Sequence, residues 1–210
     1  MTQFTTDRRT IVKGAAWTIP AVSVAAAAPS LAASPTCEPT YQDITKTFVY
    51  SALGIADITV EVTAKNVPLT APAGASLQPI ETSSKVTIPA NIAGLLRQLY
   101  LPGAVEVDGT SVSVSTLSGA YPGEATTNLT IDRTPFPASG DLVTVATGTG
   151  EQSSVPDDAS TGLVTITMGE PNSTLNGYTE DGSAVGPYES NLAKKDGNDY
   201  VLATFTVVEC

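Results

Sequence analysis

The chain contains no histidine, and that absence removes most of the acid–base and nucleophilic repertoire. Ser-His-Asp and Cys-His catalysis need an imidazole to take the nucleophile's proton, and His-ligated metal sites need its ring nitrogens. The two cysteines, Cys37 and Cys210, do not substitute for it. In an exported chain they read as one disulfide that closes nearly the whole domain into a loop. A glycine-rich phosphate loop is missing too: Gly148-Thr149-Gly150 lacks the lysine and the rest of that pattern. No residue is therefore assigned a catalytic or cofactor-binding role.

Carboxylates remain. A glycosidase needs two of them at a set separation. Asp157-Asp158 and Glu180-Asp181 are adjacent pairs, but neighbours on an extended chain point to opposite sides. Asp196-Gly197-Asn198-Asp199 sets hard oxygens on a tight loop, with Glu180, Asp181 or Glu189 able to join them. Asp196, Asn198 and Asp199 are thus a weak calcium candidate, short of a full calcium-binding loop, and calcium is the one cofactor considered. Tyr178, Tyr188 and Tyr200 cluster in the late polar region. Tyrosine-rich loops of this kind can stack on a sugar or grip a protein.

Charge narrows the partners. Lys and Arg total 10 against 21 Asp and Glu, for a net charge of −11. Arg8, Arg9 and Lys13 against Asp7 make the first segment basic, so the remainder is more acidic than the whole. Such a domain repels phosphate backbones and anionic membrane surfaces, which excludes nucleic acid as a natural partner. Protein, glycan or a cell-wall component stays open.

The basic segment has its own reading. Asp7-Arg8-Arg9-Thr10-Ile11-Val12-Lys13 resembles the twin-arginine export motif, with Arg8, Arg9 and Lys13 as its charged elements. Asp7 departs from the usual Ser or Thr. An Ala-rich apolar stretch, Gly14–Leu31, comes next, and Ser30-Leu31-Ala32 supplies small residues where a signal peptidase cuts. Residues 1–32 are expected to be a cleavable signal peptide, and residues 33–210 one secreted or envelope-associated domain without stable membrane insertion.

That domain reads as strands. Ile58, Val60, Val62 and Ala64 alternate with Thr59, Glu61 and Thr63. Val112 and Val114 alternate with Ser111, Ser113 and Ser115. Similar runs surround Leu129 and Ile131, Val143 and Val145, Val164 to Met168, and Val201 to Val208. Period-two alternation predicts half-buried strands. Asp108-Gly109, Pro122-Gly123, Gly140-Asp141, Asn176-Gly177 and Asp181-Gly182 are expected to be turns between them. Pro89–Leu101 breaks the pattern with Ile92, Leu95, Leu96 and Leu99 at helical spacing, predicting one short helix over an end of the fold. The fold class expected is all-β: an Ig-like antiparallel β-sandwich with one short helix.

The organisation resembles a family of exported actinobacterial domains of unknown function. The resemblance rests on the twin-arginine leader with a Cys soon after cleavage, a strand like Asp57–Ala64, and a Pro-rich link from Val67-Pro68 to Gly74. It continues with Thr87-Ile88-Pro89 leading into a helix, a Pro137-Ala138-Ser139-Gly140 turn and a closing Cys210. The resemblance implies a sandwich and implies no activity.

The leading expectation is a non-enzymatic secreted or cell-envelope module with a binding or structural role. Two alternatives differ from it physically. A carrier of an apolar small molecule would enclose an apolar cavity, and a carboxylate-dependent glycan hydrolase would face two carboxylates across a cleft about 5–9 Å wide. Twin-arginine export, the pathway the leader resembles, moves folded proteins out of a reducing cytosol, so the domain must fold with Cys37 and Cys210 as thiols. The Cys37→Ser, Cys210→Ser double variant is therefore expected to fold and be exported, but to be less stable by about 2–5 kcal/mol. Circular dichroism at 25 °C and a thermal melt check this. An unfolded spectrum would overturn it.

Overall fold

In β2 (Ala56–Pro72), Ile58, Val60, Val62 and Ala64 are all buried, while Thr59 and Glu61 on the opposite face are not. A strand with this alternation must cover its apolar face, and here it does so inside a closed ring. The structure is a computed structural model in which residues 38–52 and 54–210 are described. The export motif at Arg8, Arg9 and Lys13, the expected cleavage site and Cys37 lie outside the described residues.

The further strands are β1 (Thr40–Ala52), β3 (Glu81–Ile88), β4 (Glu106–Gly119), β5 (Gly123–Pro135), β6 (Leu142–Thr149), β7 (Gly162–Met168), β8 (Asn172–Tyr178), β9 (Ala184–Lys194) and β10 (Val201–Val208). Hydrogen-bonded neighbours run β1-β9-β8-β4-β5-β6-β3-β2, and β2 pairs back onto β1, every contact antiparallel. Eight strands thus close into a barrel. β10 lies parallel to the end of β2, from Thr206–Thr70 to Val208–Pro72, and pairs along its other edge with β7. β7 in turn joins β4 over Ser115–Gly119, so β10 and β7 bridge from β2 to β4.

The all-β class holds, but the Ig-like sandwich does not describe these ladders. A sandwich needs two separate sheets; here one continuous sheet returns on itself through the long β1–β2 ladder, Thr40–Thr70 to Ala52–Ala56. β2 also changes partner along its length. It pairs with β3 from Thr59 to Lys65 and with β10 from Thr70 onward. The kink falls at Asn66, whose φ of 59° is left-handed. Its backbone N–H donates to Asp43 Oδ1 and its amide to the Pro79 carbonyl, and Asn is among the few residues that tolerate this conformation.

The helix falls where it was expected and has a different face. α1 (Ala90–Leu95) runs into a π-helical turn, Leu96–Tyr100. Ile92, Ala93 and Leu96 are buried, but Leu95 and Leu99 are exposed. A π turn carries an extra residue and rotates the chain beyond it, so Leu101 takes the buried position that ideal spacing assigns to Leu99.

Two expected turns are strand interiors. Asp108-Gly109 lies inside β4 and Asn176-Gly177 inside β8, where Asp108 pairs with Asn176 and Gly109 with Leu175. Glycine is needed there for close approach: a Cβ built on Gly109 would overlap the Thr174 carbonyl oxygen. Asp181-Gly182, by contrast, does sit at the tip of the β8–β9 hairpin, which accounts for the polar stretch after Glu170. Gly109→Ala is accordingly expected to destabilise the domain by about 1–3 kcal/mol through overpacking. Urea titration checks this; a change below about 0.5 kcal/mol would mean that β8 yields freely.

Candidate functional site

The middle of the inward face of β4 carries small polar residues. Ser111 and Ser113 are buried, with Val112 turned out to solvent. β6 repeats this: Leu142, Thr144 and Ala146 are buried, while Val143 and Val145 face out. Alternation was legible in both segments, yet the larger apolar side chains lie outside. An eight-stranded barrel has an interior that ordinary side chains just fill, or that holds one small ligand when they do not. With Ser, Thr and Ala pointing inward they do not, and a cavity of about 250 Å³ remains. It exceeds the ~150 Å³ cavity that accommodates benzene and approaches the ~300 Å³ at which ligand pockets commonly begin.

The wall is mainly aliphatic. Ile58, Val60 and Val62 of β2 face Leu129 and Ile131 of β5, with Ile166 and Met168 of β7 and Leu202 and Phe205 of β10 contributing. Ile92 and Leu96 from the helical segment close part of the wall. Hydroxyls are spread around the wall, with three serines in a row of alternate positions on β4. Ser173 of β8 donates to Ser111 Oγ (2.9 Å), Ser111 donates to the Asn172 carbonyl (3.3 Å), and Ser115 lies 3.6 Å from Met168 Sδ.

An opening lies beside the first half of β5. Among the described residues β5 pairs with β6 only at Thr130–Thr147 and Ile131–Ala146, so Gly123–Ala125 have that edge unpaired. All three line the cavity and are exposed, as are Ser153 and Ser154. The segment carrying Ser153 is held by backbone hydrogen bonds from Leu77 to Ser153 and from Val155 to Ala75, which fixes a second rim.

Electrically the interior is neutral. Glu124, at the opening, is the one charged residue among those lining the cavity. Tyr50, Tyr121 and Tyr188 also line it, and burial pushes the hydroxyl of each above its ordinary value. For Tyr50, Tyr200 and Glu170 add to the rise; its hydroxyl donates to the Gly169 carbonyl at 2.9 Å.

The residues singled out from sequence are dispersed. Tyr188 lines the cavity and packs its ring 4.6 Å from that of Tyr100. Tyr178 lies instead under Arg133, whose guanidinium sits 3.7 Å above its ring and also pairs with Glu106. A hydrogen bond to Asp108 raises the Tyr178 hydroxyl. Tyr200 is core: it stacks on Phe48, tilts against Tyr50, accepts the Lys195 N–H and donates to the Val49 carbonyl. The three tyrosines do not form one surface.

The loop of Asp196, Asn198 and Asp199 is occupied with its own turn. Asp199 Oδ1 accepts the Val201 N–H at 2.9 Å, and the Asn198 amide donates to the Val49 carbonyl at 3.4 Å. Among the described residues no group of three or more His, Cys, Asp or Glu is placed to hold a metal ion. Asp181 is committed to the β8–β9 tip, where the Thr179 hydroxyl and then Ser183 hold its carboxyl below the usual range. Neither Asp157-Asp158 nor Glu180-Asp181 lines the cavity. The inward serines line the cavity, and local pattern did not single them out. Their signal was the run Ser111-Val112-Ser113-Val114-Ser115, which by itself marks only a strand.

A closed antiparallel ring around a largely apolar interior that opens beside β5 defines this chain as an all-β barrel with an internal cavity. Among the described residues no helix is long and apolar enough to cross a membrane. The chain matches the model of a family of unknown function, DUF6801, over residues 36–203, and belongs to that family. No curated protein and no solved structure matches it.

Tyr50 couples this interior to pH. The unfolded chain's tyrosine loses its proton near pH 10, whereas the folded one holds it to higher pH. The stabilisation is full below pH ~10 and is lost as pH rises through the folded value. Near neutrality Tyr50→Phe is expected to cost about 0.5–1.5 kcal/mol, the net worth of one hydrogen bond, and the gap from wild type should narrow above pH ~10. Denaturant titrations across this range check it; a gap that widens with pH would contradict the burial.

Proposed function

We propose that this domain is an exported, non-enzymatic carrier that holds an apolar small molecule inside its barrel. The observation that carries the reading is the cavity of about 250 Å³ whose wall is aliphatic on most sides and whose opening lies beside Gly123–Ala125. A fold that needed only stability would close this space, because unfilled volume forfeits dispersion contacts and costs about 24 cal/mol per Å³ in engineered cavities. Export rests on Arg8, Arg9 and Lys13 and the small residues before Ala33. A surface-binding module gripping protein, glycan or wall has weaker support, because Tyr178, Tyr188 and Tyr200 point to different environments. A hydrolase has weaker support still, because Glu124 is the one carboxylate in the lining.

The reading is tested with a neutral naphthylamine dye that brightens in apolar surroundings. Purified protein is expected to bind it saturably at one site per chain. Ala146→Leu and Thr144→Leu, which place bulk in the interior, should each weaken binding while the circular dichroism spectrum is retained. A wild-type protein that is folded and gives no saturable signal would overturn the proposal.

A further inference from the structure

We infer that the molecule held in the barrel is uncharged and carries a hydroxyl or carbonyl group that docks on Ser113. The inference rests on the carrier reading above and names the ligand's chemistry.

Ser113 is 7% exposed. Ser113 is among the residues lining the cavity, and its Oγ, buried from solvent, is one of two buried side-chain polar atoms without a partner among the described residues; the other, Arg97 Nε, belongs to a residue outside the cavity wall. The topology explains the orphan. Along one edge β4 pairs with β8 as far as Val112–Asn172 and with β7 from Ser115–Met168 onward. Ser111 therefore has Ser173 opposite it and Ser115 has Met168, but Ser113 falls at the changeover with no residue paired to it on that edge. Across its other edge stands Thr127 of β5, itself in the cavity wall.

A buried hydroxyl without a partner costs about 1–3 kcal/mol, and such groups are rare in native proteins unless something outside the chain satisfies them. Ser113 can give one hydrogen bond and accept others, so an alcohol, ketone or ester oxygen from the cavity suits it. Charge is excluded by the rest of the wall. No Lys or Arg lines the cavity to neutralise an anion, and the residue at the opening is Glu124. A carboxylate tail-first in the barrel would leave its head beside that like charge; head-first, it would be buried unpaired.

The test displaces the naphthylamine dye from the full chain at neutral pH with decane, decanol, decanone and decanoate. Decanol and decanone are expected to bind about 3–10-fold more tightly than decane, the ratio one net hydrogen bond supplies. Decanoate should be weaker than decanol by at least about tenfold. Ser113→Ala should fold as the wild type does, erase the preference of decanol over decane, and leave decane within about twofold. Ser113→Thr should keep the preference, and so should Ser111→Ala, because the Ser111 hydroxyl already has protein partners. Decanoate binding as tightly as decanol, or a preference that survives in Ser113→Ala, would overturn this inference while leaving the carrier reading in place. Saturable dye that none of the four displaces would overturn this inference; dye that never binds would overturn the carrier reading itself.

Discussion

The ladder between β1 and β2 is the constraint on which the interior depends. It runs from Thr40–Thr70 to Ala52–Ala56 and joins the two ends of an otherwise open eight-stranded series. Without it β1 and β2 would each expose a row of unpaired N–H and C=O groups, which are templates for aggregation. With it, the number of strands sets the width of the interior, and the side chains facing inward determine how much of that width is filled. Thr40 of β1 and Thr206 of β10 both pair with Thr70, so the start of the first strand and the end of the last flank the same point on β2.

Filling is uneven around the ring. Near Phe48, Tyr50 and Tyr200 the packing is aromatic, and the hydroxyls of both tyrosines are used: Tyr50 on the Gly169 carbonyl, Tyr200 on Lys195 and Val49. Buried phenols with satisfied hydroxyls bring large contact area without the penalty of an unpaired group. In the middle of β4 and β6 the inward positions carry Ser111, Ser113, Thr144 and Ala146 instead, and the contact area is smaller there. The space sits where side chains are small, between an aromatic cluster that stabilises one region and the Ile92 and Leu96 contacts that cover another.

The same unevenness governs the chemistry available inside. Serine and threonine hydroxyls add hydrogen-bonding capacity without charge, and burial pushes loss of the proton from the tyrosines in the wall above its ordinary alkaline range. Among the described residues no acidic group is buried; Asp181, for example, is held in the exposed tip of the β8–β9 hairpin. The charge lies at the surface, and the cavity wall carries a single charged residue, Glu124, at its opening.

By itself the sequence determined strands β2, β4, β5, β6, β7 and β10, the place of the helix and the kinds of chemistry ruled out. Period-two alternation at Ile58–Ala64, Leu129–Ile131 and Val164–Met168 places strands with the expected faces buried, because a strand in which one face is plainly apolar has one sensible orientation. The missing histidine ruled out imidazole chemistry without reference to structure. Tertiary structure decided what local pattern leaves degenerate. Ser111–Ser115 and Val143–Val145 alternate equally well with either face inward, and a register is set only by which residues the neighbouring strands bring opposite. Asp108-Gly109 and Asn176-Gly177 have turn residues but lie in strands, because β4 and β8 pair so closely that glycine is required at Gly109. The closure of β1 on β2, the cavity and the unpartnered Ser113 hydroxyl arise from pairings between residues distant in the chain, and no local window of sequence contains them.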